Sequence, residues 1–172
     1  MKKLLLPLIL FSSISYGADC SKHPIFCQIT KNQPKIDKKY AMKLSNIIYK
    51  MHRKYHIPTR IFTAILRQES GYSLKAKGKQ CIFYKGEKAC GPSDFGVSQI
   101  HINTAGLWKF DIEKLTTDLE YSVEAGAKIL ADFMNRYEAK DANWWVRYNC
   151  GSRSTTKRDT CQIYKKLVER YL

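Results

Sequence analysis

"ILRQESGYS", Ile65 to Ser73, places an acid where a carboxylate is uncomfortable. Upstream, "IPTRIFTAILRQ" reads as an amphipathic helix. Pro58 stands near its first turn, and Ile61, Phe62, Ile65 and Leu66 fall on one stripe with the spacing of a core-facing helix. Glu69 lies on that stripe, four residues after Ile65 and three after Leu66. Gly71 offers the left-handed residue that commonly ends a helix. The expected arrangement thus turns a carboxylate inward at the carboxyl end of a helix, where the dipole opposes negative charge. An acid in that position calls for a reason beyond packing.

Outward from this helix the pattern stays helical. Asp37 is a good N-cap, and Tyr40, Leu44, Ile47, Ile48, Met51 and Tyr55 keep a 3.6-residue rhythm. Ahead of it, "ADCSKHPIFCQITKNQPK" is short, polar and bracketed by cysteines, and reads as an irregular strap. From Tyr72 to Ser98 the chain is rich in Gly, Lys and Ser, which predicts loops and a small hairpin, "CIFYKGEKAC", with Lys85 and Gly86 at its turn. A short helix is expected around Ser98 to Thr104. The longest periodic run begins near Thr117 or Asp118 and carries Leu119, Val123, Ala127, Leu130, Met134 and Tyr137, a helix that should cross the core. "DANWWVRYNCGS" predicts a short helix ending at Gly151, and "TKRDTCQIYKKLVERYL" a final amphipathic one. With no internal repeat, the fold class is a mainly α globule with a small irregular or hairpin lobe.

The first residues read as a targeting segment. "MKK" is basic, "LLLPLILF" apolar and too short to span a membrane, and "SSISYGA" small and polar, so cleavage is expected after Gly17. The expected organisation is a signal peptide over 1–17, the strap over 18–36 and one domain over 37–172. No stable membrane insertion is expected after cleavage, and the location is periplasmic or secreted. All six cysteines follow the cut, and an even number in an exported chain argues for disulfides. Six allow fifteen pairings. Sequence neighbours are expected to pair: Cys20 with Cys27, Cys81 with Cys90, and Cys150 with Cys161, each stabilising by roughly 2.5–3 kcal/mol if unstrained. The net charge of +15, spread along the chain, favours anionic polymers. Export removes nucleic acid as the partner and leaves the cell wall, whose stem peptides carry free carboxylates.

Three segments then read together: "RQESGYS" at 67–73, "SDFGVSQI" at 93–100 and "RYNCGS" at 147–152. In order and spacing they resemble the signature motifs of the goose-type lysozyme and soluble lytic transglycosylase family: a Glu-Ser at a helix end, a Gly-x-x-Gln-Ile turn and a Tyr-Asn-x-Gly. The resemblance covers Ile57 to Ser152 and implies a lysozyme-like fold. It further implies that Glu69 is the catalytic acid. Desolvation and the helix end would keep it protonated near neutral pH, to protonate the bond between N-acetylmuramic acid and N-acetylglucosamine, a step worth about 10²–10⁴-fold. Ser70, Gly96, Ser98, Gln99, Ile100, Tyr148 and Asn149 map to substrate-binding positions. Gly96 would let the backbone approach sugar, and Tyr148 would point toward Glu69. Ser98 replaces the usual Met and so removes an apolar wall under one sugar. Cys150 stands where Ala is typical.

Glycosidases commonly use two carboxylates. No clear second one is visible, and Asp94, just before Gly96, reads as a turn-capping residue. A lone acid suits the lytic transglycosylase mechanism, in which the muramyl C6 hydroxyl replaces water and a 1,6-anhydro ring closes. His52 and His56 share a helix face but lack the Glu of a zinc protease, so neither metal nor cofactor is expected. At least one ring of Trp144-Trp145 should be core, and Trp108 is a weaker candidate for sugar contact. The resemblance extends to the small enzymes of conjugation, type IV secretion and pilus systems. It implies a monomer acting on peptidoglycan strands, with components of such a machine as partners. The rival readings are a true lysozyme, favoured by a carboxylate such as Asp94 or Asp111 over the opposite sugar face, and a glycan-binding assembly module.

Overall fold

In the computed structural model, residues 19–84, 87–151 and 159–172 are described, without the side chains of residues 80–89. The expected leader over 1–17 and the expected turn at Lys85 and Gly86 lie outside them.

The strap expected to be irregular instead carries helix α1 (Pro24–Asn32). Pro24 opens it with a fixed φ and no orphaned N–H, and Ile25, Phe26 and Ile29 bury one face. The Cys20–Cys27 disulfide ties the preceding turn to this helix. Helix α2 (Lys38–Tyr55) starts where Asp37 accepts the Tyr40 N–H at 2.7 Å and stops at left-handed His56. Helix α3 (Thr59–Ser70) follows Pro58 and ends at left-handed Gly71. Phe62, Ile65 and Leu66 of α3 are fully buried. At roughly 1.5–3 kcal/mol each, their burial anchors the last turn, whatever the acid at its end costs.

The hairpin is longer than expected. Strands β1 (Lys77–Tyr84) and β2 (Glu87–Phe95) pair antiparallel, with Cys81 opposite Cys90 and a register shift after Gly78. Cys90 is disulfide-bonded, while the side chain of Cys81 lies outside the described ones. A two-residue β3 (Ile100–His101) adds to β2, and helix α4 (Ile102–Trp108) begins only after it. The helix expected over 98–104 is therefore displaced. Residues 96–99 form a turn whose side chains are committed elsewhere.

Helix α5 (Ile112–Thr117) is capped by Asp111, which accepts from Glu113 and Lys114. Helix α6 (Leu119–Tyr137) is capped by Asp118 and crosses the core, burying Val123, Ala127 and Leu130 completely. A 3-10 turn (Trp144–Val146) buries both tryptophans and runs into α7 (Arg147–Cys150). Helix α8 (Asp159–Glu169) is joined to α7 by the Cys150–Cys161 disulfide. Beyond α8, Gln28 and Asn32 of α1 donate to the Tyr171 carbonyl at 3.0 and 2.9 Å. The result is a mainly helical, lysozyme-like fold with a small antiparallel sheet to one side.

Gly96 sits at φ +76°, and a Cβ there would lie 2.0 Å from the Leu115 carbonyl oxygen and 2.3 Å from Ser122 Oγ. The backbone approach expected toward sugar is instead made to α5 and α6. Overpacking and a strained φ each cost about 1–3 kcal/mol, so Gly96→Ala is expected to lower the unfolding free energy by about 2–6 kcal/mol, read from the urea midpoint.

Candidate active site

Glu69 occupies the last turn of α3 with its side chain half-buried and its carboxyl walled in by protein. Two consecutive left-handed residues, Gly71 and Tyr72, turn the chain sharply away after it. Tyr72 itself is buried, and its carbonyl accepts from Tyr40 Oη at 2.7 Å. The carboxyl thus faces a cleft of about 460 Å³, lined also by Asp94, Gln99, Trp108, Tyr148 and Asn149.

Several hydrogen bonds assemble the walls. Ser70 Oγ donates to the Val97 carbonyl at 2.7 Å, joining the end of α3 to the 96–99 turn. Val97 N donates to Ser122 Oγ at 3.0 Å, and Ser98 Oγ to the Ser122 carbonyl at 2.8 Å, pinning that turn to α6. Tyr148 Oη donates to the Ser98 carbonyl at 2.8 Å, bringing α7 onto the same point. Gly126 makes this approach feasible, since a Cβ there would lie 2.4 Å from Ser98 Oγ and 3.0 Å from Tyr148 Oη. Gln99, at φ +46°, folds its amide back onto the carbonyls of Ala76 and Gly96 at 3.1 and 2.9 Å while lining the cleft.

The predicted site residues divide accordingly. Glu69, Gln99, Ile100, Tyr148 and Asn149 line one cleft, though Ile100 is 98% covered and serves as its floor. Ser98 does not face sugar: it is fully buried, because its hydroxyl is spent on α6 and its Cβ fits the gap over Gly126. Ser70 and Gly96 likewise act from behind the wall. Asp94 is the opposite case. Instead of capping the turn it sits on β2 opposite Gly78, accepts the Ser93 hydroxyl at 2.5 Å and faces into the cleft. A side chain at position 78 would collide with it, its Cβ falling 2.6 Å from Asp94 Oδ2. Asp111 lines no part of the cleft and caps α5. Trp108 does line it and stacks on Phe110, with ring centroids 5.8 Å apart. His52 spends Nδ1 on the Ile57 carbonyl, and His56 ends α2.

Tyr164 is the residue the sequence reading missed. From α8 its Oη donates to Glu69 Oε1 at 2.5 Å. Three residues earlier on the same helix, Cys161 is bridged to Cys150 beside Asn149, so one disulfide ties the tyrosine's helix to the cleft wall. The only sequence signal was a tyrosine one turn past a cysteine on an apolar stripe. Gly126 had a better one, since glycine inside a long helix costs about 1 kcal/mol and marks a close approach.

Burial pushes the Glu69 carboxyl up to about 7, Tyr164's hydroxyl pulls it down, and the charge of Asp94 adds to the rise. Burial first, and then Glu69, drive the phenols of Tyr148 and Tyr164 well above their usual range, so both stay neutral donors. With Oε1 occupied by Tyr164, the proton of neutral Glu69 belongs on Oε2.

A helical lysozyme-like domain with a raised carboxyl at the head of one cleft is the class that fold and site define. The family model described as Transglycosylase SLT domain matches residues 46–166, a span that includes every cleft residue named above. The chain belongs to the Transglycosylase SLT domain family, and is thereby a lytic transglycosylase of peptidoglycan that acts on the cell wall, outside the cytoplasm. No curated protein and no solved structure matches it. Among the described residues no helix is long and apolar enough to cross a membrane.

Tyr164→Phe removes a donor that holds the Glu69 pKa down. If the protonated acid is the active form, wild-type activity falls as pH rises through about 7. That alkaline limb is expected to move to higher pH in the variant, measured as the pH dependence of product release from insoluble sacculi.

Proposed function

We propose that this chain is an exported enzyme that cleaves the β-1,4 bond between N-acetylmuramic acid and N-acetylglucosamine and forms 1,6-anhydro-N-acetylmuramic acid, with Glu69 as acid and then base. The carrying observation is the half-buried Glu69 carboxyl, lifted to about 7 and held through one oxygen by Tyr164. In the first step Oε2–H protonates the glycosidic oxygen, the C1–O4 bond breaks and N-acetylglucosamine leaves as a free 4-hydroxyl. The N-acetyl oxygen of the muramyl residue supports the cationic C1. In the second, the Glu69 carboxylate takes the proton of the C6 hydroxyl as O6 attacks C1, which closes the ring and restores the acid. No water enters, so one carboxyl suffices. Tyr164 fits both halves, since its hydrogen bond strengthens as Glu69 becomes anionic. The resemblance to the small enzymes of conjugation, secretion and pilus systems supports local opening of the wall for such a machine.

Asp94 favours a second reading. A carboxylate across the same cleft, close enough to raise Glu69, could support a water-mediated hydrolysis as in lysozyme.

Mass spectrometry of the muropeptides released from purified sacculi separates the two. Products ending in the 1,6-anhydro ring are expected, and products heavier by one water would transfer the assignment to a lysozyme. Glu69→Gln is expected to release nothing, and a variant that still digests sacculi would remove Glu69 from the chemistry. Stability carries an independent signature. The folded pKa of Glu69 is raised, so the native state binds the extra proton between the ordinary carboxyl range and about 7, and stability is lost as pH rises through that window. Glu69→Gln is therefore expected to raise the melting temperature at pH 8 and to leave it unchanged at pH 4.

A further inference from the structure

Although the chain carries 30 lysines and arginines, the cleft is acidic. Among the described residues that line it, Glu69, Asp94 and Asp132 bear carboxyls, and Arg136 bears the one permanent positive charge. Arg136 has a defined place. Ile129, Asp132, Phe133 and Arg136 follow the i, i+3, i+4, i+7 rule and form the α6 face of the cleft. Gly126, against which Tyr148 packs, lies ten residues before Arg136 on the same helix, a rise of about 15 Å. The cation thus stands nearly three helical turns along the cleft wall from the Tyr148 contact.

It is also braced. The guanidinium lies 5.3 Å from the Phe133 ring centroid and 5.4 Å from that of Tyr137, and it makes an ion pair with Asp132 one turn back. The Asp132 carboxylate accepts from one Nη and its backbone carbonyl from Nε, and a guanidinium has five N–H donors, so donors remain for a second carboxylate. An ion pair of this exposure adds little stability and is readily shared. Two aromatic faces and one carboxylate fix the fork in position, and a fork so fixed loses little freedom on taking up a carboxylate.

We infer that the Asp132–Arg136 end of the cleft is a subsite for a carboxylate of the muramyl stem peptide, so that the enzyme selects peptide-bearing glycan over bare glycan. The inference rests on the reading of the cleft as the glycan site and deepens it. A bare strand carries a single carboxylate per muramyl residue, on the short lactyl arm close to the ring. A peptide turns that lactyl group into an amide and carries its own carboxylates farther from the ring, where Arg136 offers the one permanent positive charge among the described residues of the cleft.

The test is binding, which does not require turnover. The disaccharide N-acetylglucosaminyl-N-acetylmuramic acid carrying a tetrapeptide, and the same disaccharide without it, both lack the scissile bond and survive wild-type enzyme. By titration calorimetry the wild type is expected to bind the peptide-bearing ligand at least about tenfold tighter, and Arg136→Ala to bring the two within about twofold while the bare disaccharide binds as before. Arg136→Lys, with the charge but not the fork, is expected to keep part of the preference. Equal binding of both ligands by the wild type overturns the inference. So does a preference that survives in Arg136→Ala, or a loss in that variant shared by both ligands. The role of Glu69 is read from released products and is not moved by any of these ratios.

Discussion

Everything at the candidate site depends on how closely the 96–99 turn lies against α6. Ser122 receives the Val97 N–H on its hydroxyl and the Ser98 hydroxyl on its carbonyl, and Gly126 leaves the space that Ser98 and the Tyr148 hydroxyl share. Ser70 then reaches the Val97 carbonyl, so the end of α3 is located by the same turn. The turn thus joins α3, α6 and α7 at one point. The glycines at 96 and 126 are required for steric reasons, one because Leu115 and Ser122 occupy its side-chain volume, the other because Ser98 does.

That packing explains the state of the acid. A carboxyl at the carboxyl end of a helix is opposed by the dipole, and here it is also stripped of water and set across from Asp94. Folding supports this unfavourable group because Phe62, Ile65 and Leu66 on the same helix are fully buried. Tyr164 limits the rise and gives the carboxyl a direction. Its helix is tied on one side by Cys161 to the wall at Cys150, and the segment beyond it on the other by Gln28 and Asn32 to the Tyr171 carbonyl. The disulfide therefore bears on the geometry of the acid as well as on the entropy of the unfolded chain.

The contrast between surface and cleft is the second organising feature. The protein is strongly basic, yet among the described residues its cleft presents three carboxyls and one arginine. Lysines elsewhere draw an anionic polymer to the protein, while the cleft itself offers a carboxylate one place to rest. Trp108, half-exposed and stacked on Phe110, supplies an apolar rim on the α4 side of the same cleft.

Much of this was legible in the sequence where the signals are local. Helix periodicity located α2, α3 and α6. Asp37, Asp118 and Gly71 marked their ends, because capping and left-handed closure depend on residues within one turn. The apolar stripe through Ile65, Leu66 and Glu69 showed an acid turned inward. The pairings of Cys20 with Cys27 and of Cys150 with Cys161 followed from neighbourhood along the chain. Helix α1 was missed because its polar residues and prolines masked a short apolar face that becomes visible only when it docks on α2 and α3. Ser98, Asp94 and Tyr164 were decided by tertiary structure alone. Whether a serine faces sugar or a neighbouring helix, whether an aspartate caps a turn or enters a cleft, and which tyrosine reaches the acid depend on residues distant in sequence. Ser98 answers to Ser122 and Gly126, Asp94 to Gly78, and Tyr164 to a glutamate 95 residues away. Local sequence determines which groups are present and which way each helix faces, and only the packing of one segment on another decides what those groups meet.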